Sequence, residues 1–224
     1  MMTARLPHQF LPAGRAQAFR RLRGVGLALA LLCQAAAADL RVEVSESVND
    51  AEPVAVTHWF GGDRSVRDDG GRYIITRLDL QEAYVVDRGK RSYKVIPMAL
   101  EAGSPPPAVT VSPTEDYRQI GDWNARRYRL GGPATRGLTI DVWIARDIEA
   151  DISQFRQLMV QLSQRKGSEW LRAYEEIDGF PVLQQVELER RGISLHTESR
   201  VTSIADVKPE QGLYQPPEDF RQLR

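Results

Sequence analysis

The sequence predicts an α+β fold that is mainly β, with an antiparallel sheet and one stretch of helix late in the chain. Three observations carry this. Short apolar runs alternate with period two through most of the chain. The segments between them are turn chemistry, too short for parallel crossovers. Only between Asp147 and Ile177 does the apolar period change to three and four.

The first 38 residues read as a secretory signal peptide. Arg5, Arg15, Arg20, Arg21 and Arg23 precede the apolar run Val25 to Leu32, and Ala36 and Ala38 supply small residues for a signal peptidase. A spanning helix needs roughly 20 apolar residues, and this run is much shorter, so removal is expected and no transmembrane segment remains after cleavage. Cys33 follows Leu31 and Leu32 rather than a small residue, which disfavours lipidation, and no cofactor motif follows that would call for twin-arginine export. Cleavage leaves residues 39–224 as one expected domain, exported to the periplasm. The chain has 30 basic and 30 acidic residues; losing the five arginines leaves 25 against 30, a net of −5.

In chain order, Leu40, Val42 and Val44 alternate with Arg41, Glu43 and Ser45 as in a half-buried strand. Strands are expected again at 54–60, 72–77, 82–86 and 92–96. The separators 61–63, 68–71 and 87–90 are built from Gly, Asp and basic residues, so a meander of hairpins follows. The proline run from Ser104 to Pro107, with Pro113 beyond it, reads as a loop or extended link, because proline brings no amide donor to a ladder. A hairpin is expected from strands at 124–130 and 138–144 around Gly131, Gly132 and Pro133.

Ile148, Ile152, Phe155, Leu158, Met159 and Leu162 then define an amphipathic helix of four to five turns, with Asp147 as its N-cap. A second short helix is expected over 169–177, stopped by Asp178-Gly179-Phe180-Pro181. Two closing strands follow, around 182–188 and 193–201. The tail from Tyr214 to Arg224 is interrupted by prolines, with Tyr214 and Phe220 as its anchors.

Several chemistries are excluded or weak. The single cysteine lies in the signal, so the mature chain has no disulfide, thiolate or cysteine-metal chemistry. A mildly acidic chain without a basic stripe argues against nucleic acid. No G-x-S-x-G elbow is present, and Gly167-Ser168 follows no strand. His58 and His196 fall in strand patterns as surface or hydrogen-bonded residues. They lack metal-ligand spacing, and Asp63, Asp68 and Asp69 belong to turns. No catalytic, metal or cofactor residues are therefore assigned.

WFGGDRSVR (Trp59 to Arg67), YIITRLD (Tyr73 to Asp79), AYVVDRGKRSY (Ala83 to Tyr93), DGFPV (Asp178 to Val182) and YQPPEDF (Tyr214 to Phe220) occur in an order that resembles the LolA/LprG-like superfamily of periplasmic proteins. The resemblance is greatest to an uncharacterised exported branch, a domain of unknown function. It implies a curved antiparallel half-barrel sheet whose concave side is covered by one or two helices. It implies no catalytic residues and no cofactor. The function that follows is binding or carrying an apolar ligand, a lipid or lipoprotein acyl chain. The alternative is an envelope module of the same fold that binds a protein partner. The candidate cavity lining is Ile148, Ile152, Phe155, Met159 and Leu162, which as plain core would instead fill the space against the sheet.

The expected N-terminus of the exported protein is Asp39, which intact-mass measurement on material recovered from outside the cytoplasm checks. A mass that retains Cys33 with an attached lipid would overturn the soluble assignment.

Overall fold

A computed structural model describes residues 38–49, 51–98, 107–135, 137–190 and 192–224. The expected signal peptide, apart from Ala38, lies outside the described residues. The strands are β1 (Asp39–Val48), β2 (Val54–Phe60), β3 (Arg64–Asp68), β4 (Arg72–Arg77), β5 (Glu82–Asp87), β6 (Ser92–Pro97), β7 (Thr110–Ile120), β8 (Trp123–Gly131), β9 (Leu138–Ala145), β10 (Phe180–Arg190), β11 (Ile193–Val207) and β12 (Arg221–Leu223). Between β9 and β10 lie α1 (Ser153–Ser163), a 3-10 turn over Glu169–Arg172 and α2 (Ala173–Glu176).

All twelve strands form one sheet in the order β12-β6-β5-β4-β3-β2-β1-β11-β10-β9-β8-β7. The outermost strands, β12 and β7, do not meet, so the sheet is open. It is mainly β and curved, as the fold class expected. Phe155 of α1 lies 5.3 Å from the ring of Phe60 on β2 and 4.7 Å from that of Phe180 on β10. Those two strands stand three spacings apart, on the order of 14 Å in a flat sheet. The sheet wraps towards the helix to bring both rings to it.

The turns form as their residues dictate. Asp68 Oδ1 accepts the Gly70 amide at 2.8 Å, and Asp69 Oδ1 accepts the amides of Gly71 and Arg72. Gly70 adopts φ +88°, which a side chain would oppose.

Four elements depart from the expectations. β3 escapes a reading by alternation because it is five residues long with Val66 as its only buried member. The segment read as a loop around Pro113 is in part strand β7. Proline is tolerated there because β7 is an edge and its pairing with β8 slips between Pro113 and Tyr117. α1 begins at Ser153, one turn and more after Asp147. Asp147 Oδ2 instead accepts the Asn124 amide; Ile152 holds the N-cap position without a side-chain cap, and Asp151 Oδ1, one residue before it, accepts the Ser153 amide at 2.9 Å. β12 runs parallel to β6, the one exception to the antiparallel ladder among the described residues. The long tail makes this possible by crossing the sheet before it pairs.

The sheet carries two cores on opposite faces. Val42, Val44, Phe60, Ile140, Val142 and Val201 turn towards α1 and α2 and join Phe155, Leu158, Met159 and Tyr174 in the larger one. On the other face of the β2 to β6 half, Val66, Tyr73, Ile75 and Val86 pack beneath the tail residues Leu213, Tyr214 and Phe220. The expected anchors Tyr214 and Phe220 are therefore both engaged. The Tyr214 hydroxyl donates to Asp39 Oδ2 at 2.6 Å, and the Arg64 guanidinium lies 4.7 Å over its ring. Burial first, and the Asp39 carboxylate second, push the Tyr214 hydroxyl pKa well up, so it stays a donor.

Tyr214→Phe is expected to lose about 1–3 kcal/mol, because buried Asp39 is left without its hydroxyl donor. Tyr214→Ala, which also opens the second core, is expected to lose about 3–5 kcal/mol. Urea unfolding of the two variants checks both, and equal losses would contradict the role given to the hydroxyl.

Candidate functional site

The candidate site lies where α1 meets the sheet. β1 and β2 pair so that Val44 stands opposite Val56 and Val42 opposite His58, with their side chains towards the helix. On the other flank of β1, Val44 stands opposite Val201 of β11. The pairing slips between Glu43 and Val44 because β11 carries Thr202 as an extra residue, so that Val201 comes opposite Val44 while Ile204 stands opposite Val42. Phe155 descends from α1 into this wall.

Phe180 reaches the same place because of Gly179. A Cβ at Gly179 would lie 2.4 Å from the Ala145 carbonyl oxygen, and its φ is +124°. Only glycine lets the chain turn this close to the end of β9 and aim Phe180 at Phe155. The Asp-Gly-Phe-Pro segment thus combines a helix stop with a placement of the ring.

Beside the rings an apolar crevice of about 110 Å³ remains open to solvent, walled by Val42, Val44, Phe60, Phe155, Phe180 and Val201. Its rim is polar: His58, Gln184 and Ser199 line it as well. Gln184 Oε1 accepts the Tyr174 hydroxyl at 3.1 Å, which fixes the amide. His58 stacks on Phe60 with ring centres 5.9 Å apart and lies 3.4 Å from Glu46 Oε1. The other Glu46 oxygen accepts from Arg67, the cross-strand partner of His58.

Burial alone would raise the Glu46 carboxyl. Hydrogen bonds from His58 and Arg67, with their charges, overcome it and hold the pKa at about 2. Glu46 is therefore a fixed anion at the rim.

The expected lining residues separate. Phe155 lines the crevice. Met159 is buried in the main core beside Leu158, away from the crevice wall. Ile152 and Leu162 pack half-buried against that core. Ile148, outside the helix, lines a different and more polar hollow with Asp122, Trp123, Asp147 and Glu149. Sequence reasoning missed Glu46, Phe60, Phe180, Gln184, Ser199 and Val201 as site residues. Val42 and Val44 were legible as one face of a strand, but nothing local told that this face lies beneath Phe155.

His196 stands apart, 3.7 Å from Glu187. Asp68 is held by Arg88 through two hydrogen bonds at 2.6 Å, which accounts for its place in the turn. Among the described residues no group of three or more His, Cys, Asp or Glu is placed to hold a metal ion, and no helix is long and apolar enough to cross a membrane.

Glu46→Gln tests the rim. A carboxyl depressed in the fold contributes stability above its unfolded value near 4.5 and loses it as pH falls towards about 2. The wild type is expected to lose stability across that window, and the variant to lack this component. Denaturant midpoints measured from about pH 5 to about pH 2.5 check it.

No curated protein matches the chain. Among solved structures, a crystal structure of a LolA superfamily protein from Nitrosomonas europaea is similar to it, at 8% identity and a TM-score of 0.31, covering 78% of this chain and 87% of that one. A family model described as a domain of unknown function, DUF4412, matches residues 69–220, from the β3–β4 turn through α1, the crevice strands β10 and β11, and the tail to Phe220. That match spans more than half of the chain, which agrees with the uncharacterised family expected from its motifs, and the protein belongs to the DUF4412 family.

Proposed function

We propose that the protein is an exported, non-enzymatic binding or carrier-like protein of the periplasm. Residues 1–38 serve as its signal peptide and 39–224 as its single domain. Its ligand is apolar, a lipid or lipoprotein acyl group, and enters between α1 and the sheet. The observation that carries the reading is the solvent-open crevice beside Phe155, apolar in its walls and polar only at its rim.

At about 110 Å³ the crevice is smaller than the roughly 300–1,000 Å³ of sites that enclose a drug-sized molecule. A long acyl chain therefore has to displace the Phe155 ring and lift α1. That exchange replaces one apolar surface by another, so little buried area is lost. Among the described residues α1 is tied to its surroundings by Gln161 Nε2 to the Gly62 carbonyl at 3.2 Å, Gln154 Nε2 to the Ala38 carbonyl at 2.9 Å, and Arg156 to Asp178 at 3.0 Å and to the Ile177 carbonyl at 3.4 Å. Bonds of this kind contribute roughly 0.5–1.5 kcal/mol each, within reach of the energy an acyl chain gains on burial.

The test pairs binding with stability. Val44→Thr and Val201→Thr place hydroxyls on the crevice wall, where water can reach them, so melting should fall little while affinity for an uncharged fluorescent alkyl probe drops several-fold. Val142→Thr, fully buried away from the crevice, should do the reverse. Absence of saturable probe binding to the wild type, together with a protein partner co-purifying from the periplasm, would replace the carrier reading with that of an envelope interaction module.

A further inference from the structure

The rim of the crevice is built for one kind of head group. Glu46 follows Val44 two residues on along the same face of β1, and stands opposite Ser199 of β11, a lining residue. Its side chain is 24% exposed, so a ligand seated in the crevice can touch it. Each carboxylate oxygen has one protein donor, His58 or Arg67, which leaves acceptor capacity on both.

The charges around it are unequal. On β3, Arg64 lies over the Tyr214 ring, and Arg67 is committed on both sides: one terminal nitrogen donates to Glu46, and the other lies 3.5 Å from Asp69. From β10 and β11 the rim receives Gln184 and Ser199, which are uncharged; Glu198 and Arg200 point to the opposite face, where they bond each other and Gln185. From α1 it receives Phe155, while Arg156 is held by Asp178. Two carboxylates, Glu46 and Asp69, therefore face one guanidinium and the His58 imidazole. An anionic head would meet a cation already taken and two carboxylates beside it. An ammonium would meet a free share of a buried-edge carboxylate, with the Ser199 hydroxyl and the Gln184 amide beside it.

We propose that the crevice rim is a head-group site for a cationic amphiphile bearing an amine, with Glu46 accepting the ammonium while the first methylenes occupy the apolar crevice. This rests on the carrier reading and specifies its ligand class. The crevice holds about 110 Å³, and a water-sized group takes roughly 30 Å³, so the head and the chain next to it are what the resting structure selects. The remaining chain adds affinity without discrimination.

The experiment compares three single-chain ligands of equal length and different head, dodecylamine, dodecanol and dodecanoate, below their micelle concentrations at neutral pH, by displacement of the uncharged probe from the full mature protein. The amine is expected to bind about tenfold tighter than the alcohol, as one charge-assisted hydrogen bond provides, and the carboxylate weakest. Glu46→Gln should abolish the preference for the amine and leave dodecanol affinity unchanged. Arg67→Met, which frees Glu46 from its cation, should raise that preference, so the pair of variants stays informative if one of them folds poorly. Raised salt should weaken only the amine. Equal affinity for the three heads, or tightest binding of the carboxylate, overturns the head-group assignment while the carrier reading stands. Failure of all three to displace the probe overturns the assignment as well, and if the probe itself does not bind, the carrier reading falls with it.

Discussion

Insertion of Phe155 between Phe60, Tyr174 and Phe180 ties together elements that are remote in sequence. Its ring lies 5.3, 5.4 and 4.7 Å from those three. Tilted and edge-on aromatic contacts of this kind add roughly 0.5–1.5 kcal/mol each to the area they bury. The energetic content matters less than the geometry: one side chain of α1 reaches β2, α2 and β10 together. The curl of the sheet, the seat of the helices and the existence of a crevice beside the ring all follow from satisfying that contact. An open sheet of this size would otherwise leave one apolar face in water, and α1 with α2 is too short to cover it flat.

The second constraint is electrostatic and sits at the edge of the first. Glu46 is drawn partly out of water and kept ionised by His58 and Arg67, a strand and two strands away. Such an arrangement costs more than an apolar residue at the same place would, since desolvating a carboxylate is expensive even when paired. For stability alone it is a poor choice, and that is why the rim draws attention as a place where chemistry rather than packing set the residue.

Much of the fold was legible because hairpins are local. The alternation of Leu40, Val42 and Val44, the Asp-Gly turns and the change of period near Phe155 each announce themselves within ten residues or so. The start of α1 was misplaced because Ile148 and Ile152 continue the helical spacing although the backbone there is irregular, and periodicity cannot distinguish an apolar residue on a helix from one on a loop that packs nearby. β7 was hidden by Pro113, whose meaning depends on whether the strand is an edge, a property of the finished sheet. Of the site, Phe155 was readable as one member of an apolar stripe. Its partners were not, since Phe60 precedes it by 95 residues and Phe180 owes its aim to a close approach at Gly179 that no pattern records.

The second core is closed by residues that are made last of all those that form it. Chains emerge N-terminus first, and Tyr214 and Phe220 appear long after the hairpins they cover. Until they do, the hairpins from β2 to β6 can form, but Val66, Tyr73, Ile75 and Val86 have no cover, and β6 keeps an unpaired edge that β12 will later occupy. A nascent or truncated chain therefore presents a sticky aromatic sheet with a free edge, the combination most prone to pair with a neighbouring copy. A later segment of the same chain is the chaperone for that surface, delivered only after the hairpins have emerged.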